Sequence, residues 1–175
     1  MHGKRLGGAV VVGVAAACAL AGVGWAGPGE GVASKGAEMT KQTAAGAFEV
    51  NLTPQADGEG VGDPSIGRLA IDKQFHGDLE AVSKGQMLGV RSADTGSGGY
   101  VALERVVGKL AGREGSFVLQ HSSTMKRGAP TQSVTVVPDS GTGGLTGLVG
   151  EMTIEIEGGK HGYRFEYGFE EPGDG

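Results

Sequence analysis

Two residues of this sequence have the types that general acid–base catalysis uses, and both fall in one predicted hairpin. Glu104 and His121 lie within Tyr100–Arg127, two runs rich in Val, Leu, Phe and Thr joined by a Gly-flanked, charged turn, which is typical of a β-hairpin. A carboxylate buried beside Arg105 or Gln120 would have a raised pKa and could exchange a proton with a substrate. In the alternative interpretation, Glu104 forms an outward ion pair and His121 is a core imidazole hydrogen-bonded to a neighbour.

Aromatic, amide and imidazole side chains form a second set of candidates, for binding. If the strands close around an interior, such groups could hold a small, largely apolar molecule in its mouth or lumen. The candidate ligand-binding residues are Tyr100, Gln120, His121, Tyr163 and Tyr167. Lys73 falls on the apolar side of its strand, where it either snorkels at the strand end or lines a cavity as a cation.

Motifs for metal or cofactor binding are missing from the sequence. His76 and Asp78 are the only close pair of potential zinc ligands, so we predict no metal site. Gly-x-Gly pairs at Gly96 and Gly141 lack the strand-to-helix context of a phosphate or dinucleotide loop, so no cofactor is expected. The one cysteine, Cys18, precedes the predicted domain, which excludes disulfides and thiol catalysis within that domain.

Period-two alternation of apolar and polar residues predicts an all-β protein. No segment of helical period is long enough for a crossover, which excludes a parallel α/β sheet. Eight antiparallel strands in sequence close naturally into an up-and-down β-barrel, with a two-sheet sandwich as the alternative. Leu145 and Leu148 could plug one end of the barrel with a single helical turn. The predicted strands are Ala47–Thr53, Ile66–Phe75, Leu79–Ser92, the two strands of the hairpin, Thr131–Val137, Glu151–Glu157 and His161–Phe169.

Composition and charge narrow the class of partner. The chain has 36 glycines among 175 residues, placed between and inside the β-like runs as turns and strand bends require. Its net charge is −5 and its basic residues are scattered singly, which argues against nucleic acid as a partner.

The N-terminal residues 1–26 are arranged as in a signal peptide: a basic start, an apolar run and a small-x-small end. Residues 27–44 are then a flexible linker, residues 45–170 the barrel domain and residues 171–175 a disordered tail. This organisation predicts a protein exported to the periplasm or medium, with no stable membrane association after cleavage. The alternative is a cytoplasmic protein whose true start is Met39.

Several uncommon runs, in order, closely resemble the bacterial domain-of-unknown-function family 3224 over about residues 44–170. The resemblance implies an eight-stranded antiparallel barrel like that of allene oxide cyclase, related in shape to the lipocalins. It implies no particular activity. The runs that carry it are Asp72–Leu79 (DKQFHGDL), Gly85–Leu88 (GQML), Gly99–Ala102 (GYVA), Glu104–Val106 (ERV), Gly115–His121 (GSFVLQH), Val136–Gly143 (VVPDSGTG) and Phe165–Tyr167 (FEY).

Three functions are consistent with these observations. The first is a barrel that binds a small apolar molecule in its lumen or mouth. The second is a cofactor-free isomerase, cyclase or hydrolase that uses Glu104 and His121. The third is a filled barrel that acts as an interaction module, for example as a homo-oligomer. An open lumen favours the first two, and a filled lumen favours the third.

Overall fold

The structure, a computed structural model, describes residues 40–56 and 62–170. This part of the chain is all-β. The predicted signal peptide-like segment, most of the predicted linker and the predicted tail lie outside the described residues. The strands are β1 (Gln42–Gln55), β2 (Gly67–Gly77), β3 (Leu79–Arg91), β4 (Gly98–Leu110), β5 (Arg113–Lys126), β6 (Ala129–Val136), β7 (Thr142–Gly143), β8 (Leu148–Glu157) and β9 (Lys160–Phe169).

Antiparallel pairing of eight of these strands closes the sheet into a barrel. Strands β1 to β6 pair in sequence, β6 pairs with β8, β8 with β9, and β9 returns to β1. The two-residue β7 lies outside this ring and pairs with the start of β5. The predicted eight-stranded antiparallel barrel is therefore confirmed, and closure removes the free sheet edges that an open sheet would expose.

The first strand is longer than the apolar alternation indicated. It begins at Gln42 rather than at Ala47, and Gln42 pairs with Tyr167 of β9. Its early residues are small and polar and carry no visible period, yet Ala44 is buried against β9. Strand pairing with a distant partner, rather than local pattern, extends β1.

One half of the barrel interior, which we call the closed half, is filled with side chains. Phe117 and Phe165 stack there with ring centroids 5.9 Å apart. A turn at residues 144–147 covers this end: the Leu145 amide donates to the Thr142 carbonyl at 3.0 Å, and both Leu145 and Leu148 are buried. The predicted plug is thus present, as a tight turn followed by β8 rather than as a helical turn.

A tyrosine hydroxyl fastens the closed half to the β2–β3 turn. Tyr163 accepts a hydrogen bond from the Leu79 amide at 2.9 Å and donates one to the His76 carbonyl at 3.2 Å. A Cβ at Gly46 would collide with both the His76 carbonyl and the Tyr163 hydroxyl, so only glycine allows β1 to pass this point.

The opposite half, the open half, lies toward the β3–β4 and β5–β6 turns. Inward-facing residues at this end remain in contact with solvent: Leu52 is 45% exposed and Ile156 is 63% exposed. No helix among the described residues is long and apolar enough to cross a membrane.

Candidate functional site

Four polar side chains meet in the middle of the barrel, between its two halves. We call Lys73, Ser83, Glu104 and His121 the polar cluster; they are the buried polar and charged residues of the described chain. Lys73 Nζ donates to Glu104 Oε2 at 2.7 Å, and Ser83 Oγ donates to Glu104 Oε1 at 2.6 Å. His121 Nε2 lies 3.2 Å from Glu104 Oε2. One carboxylate therefore organises groups from four consecutive strands.

Strand register explains why these residues meet. On β2 and β3, Lys73 lies directly opposite Ser83. On β3 and β4, Gly85 lies opposite Glu104, and a Cβ at Gly85 would collide with the backbone of β4. On β4 and β5, His121 lies opposite Ala102, two residues from Glu104 on the same face. Period-two alternation then directs all four polar side chains inward.

The environment of Glu104 holds it in the ionised form. Burial by itself raises the pKa of its carboxyl group, but the nearby His121 ring, the Lys73 ammonium and the Ser83 hydroxyl outweigh it and lower the pKa from 4.5 to about 2. The expectation of a raised pKa beside Arg105 or Gln120 was wrong. Arg105 is exposed and bonds Ser116 Oγ at 3.2 Å, so it supplies no charge to the interior.

The cluster contains one unsatisfied atom. His121 Nε2 is buried and has no hydrogen-bond partner among the described residues, although Glu104 Oε2 is 3.2 Å away, because the contact does not have the direction of a hydrogen bond. Lys73 has further partners: its Nζ lies 4.9 Å from the ring centroid of Phe48 and 5.6 Å from that of Phe75. Lys73 is thus an interior cation and does not snorkel at a strand end.

Above the polar cluster, the open half forms a cavity of about 420 Å³, which we call the cup. Its floor is one layer away from the cluster, since Ala102 separates Tyr100 from Glu104 along β4 and Gly85 separates Met87 from Ser83 along β3. The lining is mostly apolar and glycine-rich, and consists of Leu69, Met87, Gly89, Val90, Arg91, Gly96, Gly98, Gly99, Tyr100, Ser123, Thr124 and Met125.

Tyr100 supplies the cup with a phenol that stays protonated at physiological pH. Burial raises the pKa of Tyr100, and the charge of Glu104 raises it further, against opposing effects of Gln132 and Ser123. A protonated hydroxyl can donate a hydrogen bond to an oxygen of a bound molecule.

The structure divides the sequence-predicted site residues among four places. Tyr100 lines the cup, while Glu104 and His121 lie beneath its floor. Tyr163 and Tyr167 lie in the closed half, where the Tyr167 hydroxyl donates to Gln42 Oε1 at 3.1 Å. The remaining candidate, Gln120, is exposed on the outer face of β5, between the buried Leu119 and His121.

Some site residues did not enter the predicted set. Lys73 was visible from its position on the apolar face of β2, but its partner could not be read from the sequence. Ser83 also has the parity of the buried residues Leu79 and Ala81, and this was the signal that could have found it. Nothing in the sequence marked Arg91 or Met87 as lining a cavity.

The part of the chain that the structure describes contains no set of side chains arranged to bind a metal ion. No three His, Cys, Asp or Glu side chains converge among those residues. The polar cluster itself offers one carboxylate and one imidazole, and a lysine ammonium occupies the space beside them.

By its fold, the protein is a closed eight-stranded antiparallel β-barrel with a polar centre and one open end. Its family follows from comparison. Residues 44–167 match the model of the family described as "Protein of unknown function (DUF3224)", and the chain belongs to this family. A crystal structure of a DUF3224 protein of unknown function from Shewanella oneidensis MR-1 is 51% identical, with a TM-score of 0.66, over 77% of this chain and 100% of that one. No curated protein matches.

Proposed function

We propose that the protein binds a small, largely apolar molecule in the cup. The observation that carries this proposal is a cavity of about 420 Å³ with a mostly apolar lining at one end of a barrel that is otherwise packed. Sites for small molecules are concave and mostly apolar, with a few polar groups that fix orientation, and typically measure about 300–1,000 Å³. Leu69, Met87 and Met125 provide the apolar contacts, and Tyr100 with Ser123 provides the polar ones.

Packing of the closed half supports the same proposal. The largest fully buried side chains include Phe75, Phe117 and Phe165, and they leave the lower interior to the protein itself. A ligand would therefore enter from the open end and rest on the layer that contains Ala102 and Gly85. Tyr163 and Tyr167, which already have hydrogen-bond partners, would support this site from a distance rather than contact the ligand.

The cup can be filled by one substitution, which gives a direct test. Ser123 faces inward on β5, and its neighbour Ser122 faces outward and is exposed. We expect Ser123→Trp to weaken binding of the neutral apolar probe N-phenyl-1-naphthylamine at least roughly tenfold, because the indole occupies the cup. Fluorescence titration measures this, with Ser122→Trp as the matched control. Unchanged binding in Ser123→Trp, or no binding to the unsubstituted protein, would contradict the proposal.

The enzymatic alternative has less support from the geometry. Proximity of Glu104 and His121 favours it, but Glu104 has a pKa of about 2 and is held by Lys73 and Ser83, so it is a weak base and is never protonated at neutral pH. Both groups are also buried beneath the floor of the cup. Acid–base chemistry by Glu104 and His121 stays a prediction. The resemblance of the barrel to that of allene oxide cyclase also stays a prediction.

One observation favours an interaction role alongside binding. The outer faces of β3 and β4 expose apolar side chains, and Leu88 lies directly opposite Val101 while Val82 lies opposite Val107. Apolar outer faces of this kind are typical of interaction surfaces. A homo-oligomer therefore remains a proposal, and light scattering coupled to size-exclusion chromatography measures its mass.

A further inference from the structure

The rim of the cup carries a cation that points to the chemistry of the ligand. Arg91 is the last residue of β3, and it has the parity of the inward-facing residues Met87 and Gly89 rather than that of Leu88 and Val90. Its side chain lines the cup and remains exposed. An arginine at the edge of an otherwise apolar cavity is a binding group for an anion.

Unlike Arg164 and Arg113, Arg91 has no side-chain partner among the described residues. Arg164 pairs with Glu166 at 3.4 Å, and the Arg113 guanidinium lies 4.1 Å from the ring centroid of Phe169. Within residues 40–56 and 62–170, no carboxylate lies within ion-pair distance of Arg91 and its guanidinium makes no hydrogen bond. Its five N–H donors are therefore available to a ligand.

Glycines beside Arg91 leave its side chain room over the cup. Gly98 lies directly opposite Arg91, and a Cβ at Gly98 would be 3.5 Å from the Arg91 Cβ. A Cβ at Gly96 would meet nothing within 4 Å. The β3–β4 end of the rim thus has no side chain opposite Arg91 and has open space at Gly96.

Charges near Arg91 also favour an anion. Lys126 ends β5 and Arg127 begins the β5–β6 turn. The Arg127 amide donates to Ser97 Oγ of the β3–β4 turn at 3.0 Å, which holds the two turns together. The β3–β4 turn contributes one acidic residue, Asp94. This side of the rim is locally basic in a chain whose net charge is −5.

We propose that the ligand of the cup is an amphiphilic carboxylate, with an apolar body in the cavity and its carboxylate bound by Arg91 at the rim. This proposal rests on the proposed function and adds the class of ligand. The apolar body would contact Leu69, Met87 and Met125, while the guanidinium forms charge-assisted hydrogen bonds with both carboxylate oxygens. The head group would stay near water, where a carboxylate needs no full desolvation.

A matched pair of ligands separates this proposal from simple apolar binding. Decanoate and decanol have the same chain and differ in the charge of the head group. We expect decanoate to displace bound N-phenyl-1-naphthylamine at a roughly tenfold lower concentration than decanol, and Arg91→Gln to remove that difference without changing the effect of decanol. The preference should shrink as salt is raised.

Arg68→Gln is the control variant. Arg68 lies on the outer face of β2 at the same end of the barrel, opposite Leu88. Its substitution therefore removes the same charge without changing the lining of the cup. It should keep the preference for decanoate. Equal displacement by decanol and decanoate, or a preference that survives Arg91→Gln, would overturn the carboxylate proposal and leave apolar binding intact. If the probe does not bind and neither ligand is taken up, the proposed function fails and this proposal fails with it.

Discussion

The closed and open halves of the barrel are formed by the same eight strands, yet their interiors differ. In the closed half, Phe117, Leu110 and Leu145 are buried to within 1% exposure, and the turn at residues 144–147 covers the end. In the open half, inward-facing Leu52 is 45% exposed and the cup remains unfilled. An eight-stranded barrel is just wide enough to be filled by side chains or to hold one small ligand. Here side chains fill one end, and the other end has the cavity in which we propose that a small ligand binds.

The polar cluster lies at the boundary between these halves. Its Lys73–Glu104 pair is shielded from water, and its charges must be satisfied by one another because neither apolar core nor solvent can do so. The closed half therefore contributes stability through packing, the cluster forms a charged layer in the middle, and the exposed lining of the open half contributes less to packing. Substitutions in the three regions should have different effects, and the predictions below use that difference.

The largest effect is expected where a buried charge loses its partner. Glu104→Ala removes the carboxylate that accepts from Lys73 Nζ, and it leaves a buried ammonium among aromatic rings. We expect the free energy of unfolding to fall by about 3–5 kcal/mol. Urea unfolding followed by far-ultraviolet circular dichroism measures it.

The double variant Lys73→Met, Glu104→Leu separates the loss of charge pairing from the loss of packing. It removes both charges and keeps apolar volume, so most of the lost stability should return. A double variant as unstable as Glu104→Ala would show that the cluster is needed for its shape rather than for charge balance.

Packing should matter in one half and not in the other. Each half has an inward-facing leucine that can be replaced by alanine: Leu110 in the closed half is 0% exposed, and Leu52 at the mouth is 45% exposed. We expect Leu110→Ala to cost about 2–5 kcal/mol through a buried cavity, and Leu52→Ala to cost less than about 1 kcal/mol. Equal losses in urea unfolding would mean that the mouth is as well packed as the closed end.

Much of this fold could be predicted from the sequence, because period-two alternation survives in most of the strands. Strand β5 shows why: Phe117, Leu119 and His121 are buried, and Gln120 between them is exposed. The start of β1 could not be predicted, since its small residues carry no pattern and its pairing with β9 joins residues more than a hundred positions apart.

The candidate site was predicted in part. His121 and Glu104 stood out because polar residues occupy inward positions. The direction of the pKa shift of Glu104, however, depends on burial against the combined effects of His121, Lys73 and Ser83, which reach it from other strands. Alternation also cannot say how far along the barrel a residue lies. For this reason Tyr163 and Tyr167 had the right parity but belong to the closed half, whereas Tyr100 belongs to the cup.

Lowering the pH should reduce the stability that the polar cluster contributes to the fold. The pKa of Glu104 is about 2 in the folded protein, against 4.5 without its partners, so its contribution to stability is complete above pH 4.5 and is lost as the pH falls toward 2. This linkage predicts that the free energy of unfolding is lower by about 2 kcal/mol at pH 3 than at pH 6 through Glu104 alone.

Because other carboxylates also titrate, the quantity to compare is the difference in pH dependence between the unsubstituted protein and the double variant Lys73→Met, Glu104→Leu. Urea unfolding at the two pH values gives it, and the double variant should lose less stability in acid by that amount. Parallel pH profiles would mean that Glu104 titrates in the folded barrel much as it does in the unfolded chain, and that His121, Lys73 and Ser83 do not stabilise its charge.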